Sequence, residues 1–208
     1  MVPSAQIVVD FRAGPEALAA SSIAPPVNLM AKVFGTPAPS NARVSGIATG
    51  HFTSSEQIQT VALITRGGPL AGQGNAKPSM LVVLENDNIV AQFVPPDVTY
   101  HGIAATFDAN NDALHDVVLS AQSYQMGQTI IRADILSVAG GQRKAVKSLG
   151  TVYENTCDVP LGDKYVRATV VQQDANGVFQ REERIARCGS DGRAPGIDAF
   201  SVESTVPW

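Results

Sequence analysis

The sequence predicts an all-β protein built from repeated four-stranded antiparallel units in a propeller-like arrangement. Three observations predict it: short apolar runs bounded by Gly, Pro, Asn and Asp, two stretches that echo one another, and weak helix signals. With 208 residues, 44% hydrophobic and 16% charged, the chain is long enough to bury a core as a single domain. Its expected parts are N-terminal strands in 1–42, a first repeat unit in 43–99, a second in 100–155, and a Cys-flanked hairpin with a tail in 156–208.

At the N-terminus, Gln6-Ile7-Val8-Val9-Asp10-Phe11 and Asn28-Leu29-Met30-Ala31-Lys32-Val33-Phe34 read as the last strands of a unit. Between them, Pro15-Glu16-Ala17-Leu18-Ala19-Ala20 has helical composition but is brief, ending at Ser21-Ser22 before Pro25-Pro26. The echo begins at Gly46-Ile47-Ala48-Thr49-Gly50-His51-Phe52, which returns as Gly102-Ile103-Ala104-Ala105-Thr106-Phe107. In both copies a polar loop follows, then an apolar strand: Thr60-Val61-Ala62-Leu63-Ile64 in the first and Asp116-Val117-Val118-Leu119 in the second. Each unit then closes with a hairpin. The first turns at Glu85-Asn86-Asp87-Asn88 and the second at Ala139-Gly140-Gly141.

At the C-terminal end, the segment from Lys164 to Arg187 reads as two strands joined at Asp174-Ala175-Asn176-Gly177. Folding that hairpin brings its open ends together, with Tyr165 opposite Cys188, and the loop from Asp158 to Lys164 returns Cys157 to the same end. A Cys157–Cys188 disulfide is therefore expected, worth about 3.7 kcal/mol in the chain-entropy account, and with it an oxidising compartment. The hairpin and the N-terminal strands are expected to share one sheet, which protects edges that would otherwise invite aggregation.

Charge narrows the partners. The net charge is −4 and no cationic cluster exceeds Arg143-Lys144, so nothing neutralises a run of phosphates and nucleic acid is excluded. No window approaches the roughly 18 consecutive apolar residues of a membrane span. The first six residues lack the basic head and apolar stretch of a secretion signal, which leaves either a cytosolic protein or a mature fragment.

The loop of the second unit carries the chemistry. From Asp108, oxygen-bearing side chains stand at alternating positions, Asp108, Asn110 and Asp112, with Asp116 at the ninth and the Leu114 carbonyl available at the seventh. Alternate residues of a tightly wound loop aim at a common centre, and a hard cation such as Ca²⁺ takes about six to eight oxygens there. Three carboxylates so close together repel unless a cation compensates them.

These residues, with Val117-Val118-Leu119 after them, resemble the FG-GAP or VCBS repeat of integrin α-subunit propellers and many bacterial extracellular proteins. The resemblance implies a propeller-like fold, a structural Ca²⁺ at Asp108, Asn110, Asp112, Leu114 and Asp116, and an extracellular, cell-surface or periplasmic adhesion role. The family has Gly where this chain has Ala113, which can take the turn at a strain of about 1 kcal/mol if its φ is positive. The corresponding loop of the first unit, Thr53 to Gln59, has lost nearly every carboxylate and is expected to be metal-free.

Other constellations carry less. His51, His101 and His115 have no zinc-ligand spacing, and Cys188-Gly189-Ser190-Asp191-Gly192 lacks the spacing of a nucleophile elbow. The glycines of 67–74 precede no phosphate-binding helix, and the adjacent Glu182 and Glu183 face opposite ways on a strand. The expected function is thus binding or adhesion to a protein or glycan. The alternatives are a self-associating structural subunit of a surface assembly or filament, and a carbohydrate-acting enzyme whose catalytic residues are unidentified. Connections 65–78, 95–101 and 121–128 form the rim opposite the metal loop, with Tyr100, His101, Tyr124 and Met126 as candidate contacts.

Overall fold

The protein, in a computed structural model, is described over residues 6–15, 23–66, 77–94, 98–174 and 176–208. The helical stretch expected near 15–20 and most of the connections at 65–78 and 95–101 lie outside these residues. In chain order the elements are β1 (Gln6–Asp10), α1 (Leu29–Phe34), β2 (Ala42–Gly50), β3 (Gln59–Arg66), β4 (Lys77–Glu85), β5 (Asn88–Phe93) and β6 (Gly102–Phe107). There follow β7 (Asp116–Gln125), β8 (Gln128–Ser137), β9 (Lys144–Asn155), β10 (Tyr165–Gln173), β11 (Phe179–Arg187) and β12 (Ser201–Pro207). The fold is all-β with antiparallel sheets. One sheet has four strands in the order β2-β3-β4-β5; the other has eight, β12 through β6 in reverse chain order, with β1 added against β10.

Two compact units divide the chain, and β7, β8 and β9 contribute residues to both. One comprises Leu18–Ala121 and Ala133–Leu149. Here β3 and β4 are buried on both faces, which explains why their sequences run apolar without alternation. Val61, Leu63, Leu81 and Val83 pack with Phe52, Val117, Leu119, Leu136 and Val138. The opposite face, Ala62, Ile64, Met80, Val82 and Leu84, packs with Leu29 of α1. Gly46 is required where β2 approaches β6, because a Cβ there would stand 2.6 Å from the Ile103 nitrogen.

α1 corrects an expectation, since residues 28–34 read as a strand. Their apolar positions serve a helix equally well: Leu29, Met30, Val33 and Phe34 are spaced one and four apart and all meet the same cluster. Gly35, at φ 79°, ends the helix by donating its N–H to the Ala31 carbonyl at 2.8 Å.

The other unit comprises Met1–Ala17, Gln122–Arg132 and Gly150–Trp208. β1 pairs with β10 from Gln6↔Gln173 to Asp10↔Val170, so the two chain ends share a sheet as expected. The expected disulfide is present between Cys157 and Cys188, with Cα atoms 5.6 Å apart. The hairpin register differs by one residue: Tyr165 pairs with Arg187, not Cys188. The turn is wider than two residues, closed by Asp174 N–H to the Val178 carbonyl at 2.9 Å and Gly177 N–H to Asp174 O at 3.0 Å.

The strands expected for the second unit, β6 to β9, do not stand apart as a four-stranded sheet. β9 also pairs with β10 through Tyr153↔Ala168, Glu154↔Arg167 and Asn155↔Val166, which runs the second unit into the C-terminal hairpin. No closed ring of four-stranded sheets forms among the described residues.

Candidate functional site

The loop between β6 and β7 is wound by its own side chains. Asp108 accepts the N–H groups of Asp112 (3.1 Å) and Ala113 (2.8 Å), one on each carboxylate oxygen. Asn110 Oδ1 also accepts the Asp112 N–H, at 3.0 Å, and Asp112 Oδ1 accepts the Leu114 N–H at 2.9 Å. Asn110 Nδ2 donates to Asp112 Oδ2 at 3.0 Å. The turn needs left-handed backbone at Asn111 (φ 59°) and at Ala113 (φ 67°). Ala113 therefore takes the conformation for which glycine is favoured, at a strain of about 1 kcal/mol.

Asp116, the first residue of β7, is fully buried. Its Oδ2 accepts the Ala109 N–H at 2.9 Å, while Oδ1 has no hydrogen-bond partner among the described residues. Burial pushes its carboxyl above the usual range. The charges of Asp112 and Asp108 push the same way, partly offset by the Ala109 N–H and by the nearby Ser137 hydroxyl.

The loop between β2 and β3 builds a similar joint with different chemistry. Gln59, the first residue of β3, is 1% exposed. Its Oε1 accepts the Phe52 N–H at 3.1 Å, spanning the same seven residues that separate Ala109 from Asp116, and the Thr53 N–H at 2.8 Å. Unlike a carboxylate, Gln59 also donates: Nε2 reaches Thr53 Oγ1 at 2.6 Å and Glu85 Oε2 at 2.8 Å. Where Gln59 supplies a donor, Asp116 has an unpartnered oxygen. Sequence reading missed Gln59, although its place as the polar residue opening an apolar strand, like Asp116, is visible in the sequence.

The two loops are also joined directly. The His115 N–H donates to the His51 carbonyl at 2.6 Å, and the His51 N–H donates to His115 Nδ1 at 3.1 Å, with the two rings stacked. Gly50 leaves room for the His115 ring, since a Cβ there would approach it to 3.1 Å.

The donor set of the β6–β7 loop suits a hard cation. A carboxylate oxygen that accepts one N–H keeps a second lone pair, and the buried Asp116 Oδ1 has no other partner among the described residues. Among the described residues, no group of three or more His, Cys, Asp or Glu side chains already stands in a metal-holding arrangement. Asp108, Asp112 and Asp116 are thus not gathered around one point, and the oxygens of Asp108 and Asp112 accept the loop's own N–H groups.

The expected rim residues separate. Tyr100 is a core residue, 5% exposed, its N–H donating to Ser79 Oγ at 3.1 Å and its hydroxyl to Asp134 Oδ2 at 2.8 Å. Burial and that bond push its phenol well above the usual range. His101 is half-buried, and burial followed by the Arg43 charge lowers its pKa. Tyr124 and Met126 are open, at 56% and 80% exposure, on the hairpin joining β7 to β8. With these placements established, no known protein family, no curated protein and no solved structure matches this chain.

Proposed function

We propose that this chain is an extracellular, calcium-stabilised binding or adhesion module of FG-GAP or VCBS type. The observation that carries the reading is the buried Oδ1 of Asp116, which has no hydrogen-bond partner among the described residues, whereas the amide of Gln59 is satisfied by Thr53 and Glu85. A divalent cation held by Asp108, Asn110, Asp112, Asp116 and the Leu114 carbonyl relieves three mutually repelling carboxylates. Its role is structural: it pins the loop so that β6 and β7 enter the core in register. The shared loop-to-strand bond of the two units supports the repeat, and the propeller-like relationship rests on that joint alone. The disulfide supports an oxidising compartment, and no helix among the described residues is long and apolar enough to cross a membrane. Tyr124 and Met126 are the rim residues open to a partner.

The test is thermal unfolding with calcium and with chelator, for the native chain and for Asp112→Ala, alongside calorimetric titration. At tenfold excess over the dissociation constant, calcium adds about 1.4 kcal/mol to the native chain and nothing to the variant. Equal midpoints in calcium and chelator, with no heat of binding, would remove the reading.

A further inference from the structure

A cleft of about 270 Å³ lies on the face formed by β9, β10 and β11, far in sequence from the β6–β7 loop. Its walls are Ile130, Glu154, Arg167, Arg181 and Glu183, with the Thr151 carbonyl at one edge and the buried Val152 beneath. We propose that this cleft binds a neutral polyhydroxylated ligand, one sugar residue of a glycan. The inference rests on the reading of the chain as a binding module, but not on its calcium.

The charges select the ligand class. Arg181 grips Glu183 through Nε at 2.6 Å and also donates to the Thr151 carbonyl at 3.3 Å. Arg167 grips Glu203 at 3.0 and 3.3 Å and stands 3.8 Å from Glu154. An anionic ligand at Arg181 would have to draw its guanidinium from the half-buried Glu183, and a cation at Glu183 would meet the opposite fault. A neutral polyol breaks no pair. It adds hydrogen bonds to the spare lone pairs of Glu154 and Glu183 and lays its C–H face on the half-buried Ile130.

The polar walls are also held in place before any ligand arrives. Glu154 accepts Gln128 Nε2 at 2.6 Å and the Tyr165 hydroxyl at 3.1 Å, and Glu183 accepts the hydroxyl of the fully buried Thr169 at 3.2 and 3.3 Å. Side chains already ordered lose less entropy on binding. The volume falls just below the range of about 300–1,000 Å³ that suits drug-sized ligands, which favours one small ring.

The test is amide chemical-shift titration of the full chain with maltotriose, mannotriose, galactotriose and chitotriose, and with succinate and putrescine as charged probes. Each titration is run in calcium and in chelator. At least one trisaccharide should shift the amides of 151–154, 167 and 181–183 with millimolar affinity, and succinate and putrescine should not. Ile130→Trp, at a lining position that takes part in no ion pair, should abolish the shifts, and Glu183→Gln should weaken binding at least tenfold. The proposal fails if no trisaccharide moves these amides, if a charged probe moves them more strongly, or if the shifts survive in Ile130→Trp. Loss of binding in chelator alone would count against calcium independence, whereas the calcium reading is judged by the unfolding midpoint.

Discussion

Gln59 and Asp116 each open a strand and tie down the loop before it, yet one is a satisfied amide and the other a carboxyl with an unpartnered oxygen among the described residues. The difference is one of stoichiometry: a buried amide can accept and donate, whereas a carboxylate only accepts and needs a cation or a proton. This makes Gln59 a structural residue of measurable weight. Replacing it with Leu leaves the Phe52 and Thr53 N–H groups and Glu85 without their partner, at about 1–3 kcal/mol for each buried unsatisfied group. Gln59→Leu should therefore lower stability by about 3 kcal/mol in urea denaturation at unchanged slope, and an unchanged midpoint would show that the amide does not hold the loop. At the same scale Ala113 was legible, since a position needing glycine was identified and its φ is positive. Tyr100 was not: nothing local distinguishes an aromatic at a rim from one whose hydroxyl finds a half-buried acceptor 34 residues away.

At the scale of elements, every strand predicted between residues 43 and 155 is present, because apolar runs between turn residues have few other uses. α1 was missed because Val33 and Phe34 favour strands and the helix has only 6 residues, too few for its period to show. Turn chemistry matters most at the β7–β8 hairpin, where Met126 and Gly127 both have positive φ, at 51° and 86°. A Cβ on Gly127 would collide with the Asp158 carbonyl, beside the disulfide. Gly150, at φ 66°, has nothing within 4 Å of such an atom. Gly150→Ala should thus cost only backbone strain, about 1 kcal/mol, and Gly127→Ala should cost that plus a displaced loop, about 3 kcal/mol. For a chain of this size that is a difference of roughly 4–8 °C in melting temperature, readable by scanning calorimetry. Equal shifts would mean that the 158 loop yields without resistance.

At the scale of the whole molecule, strand count was legible and connectivity was not. The continuity of the eight-stranded sheet depends on three residue pairs between β9 and β10, and three pairs leave no pattern in a sequence. The cleft was invisible for a related reason. Glu154, Arg167 and Glu183 come from three strands and share a face only once Glu154 is set against Arg167 and Glu183 against Thr169. Alternation along a strand did foretell one part of it: Glu183 pairs with Arg181 and Glu182 with Arg184, two ion pairs on opposite faces. The disulfide was legible because a hairpin closes its own ends, and it lies wholly within the unit that contains β10 and β11. Cross-linking residues 31 apart restricts the unfolded chain by about 3.7 kcal/mol in the loop-entropy account. The double variant Cys157→Ala/Cys188→Ala should lose about that much, and the loss should be uneven. Native-state hydrogen exchange should rise first in 165–187, which the cross-link closes, while β3 and β4, buried on both faces in the other unit, keep their protection. Equal loss of protection in both segments would show instead that the two units open as one, and the disulfide would then stabilise the entire chain.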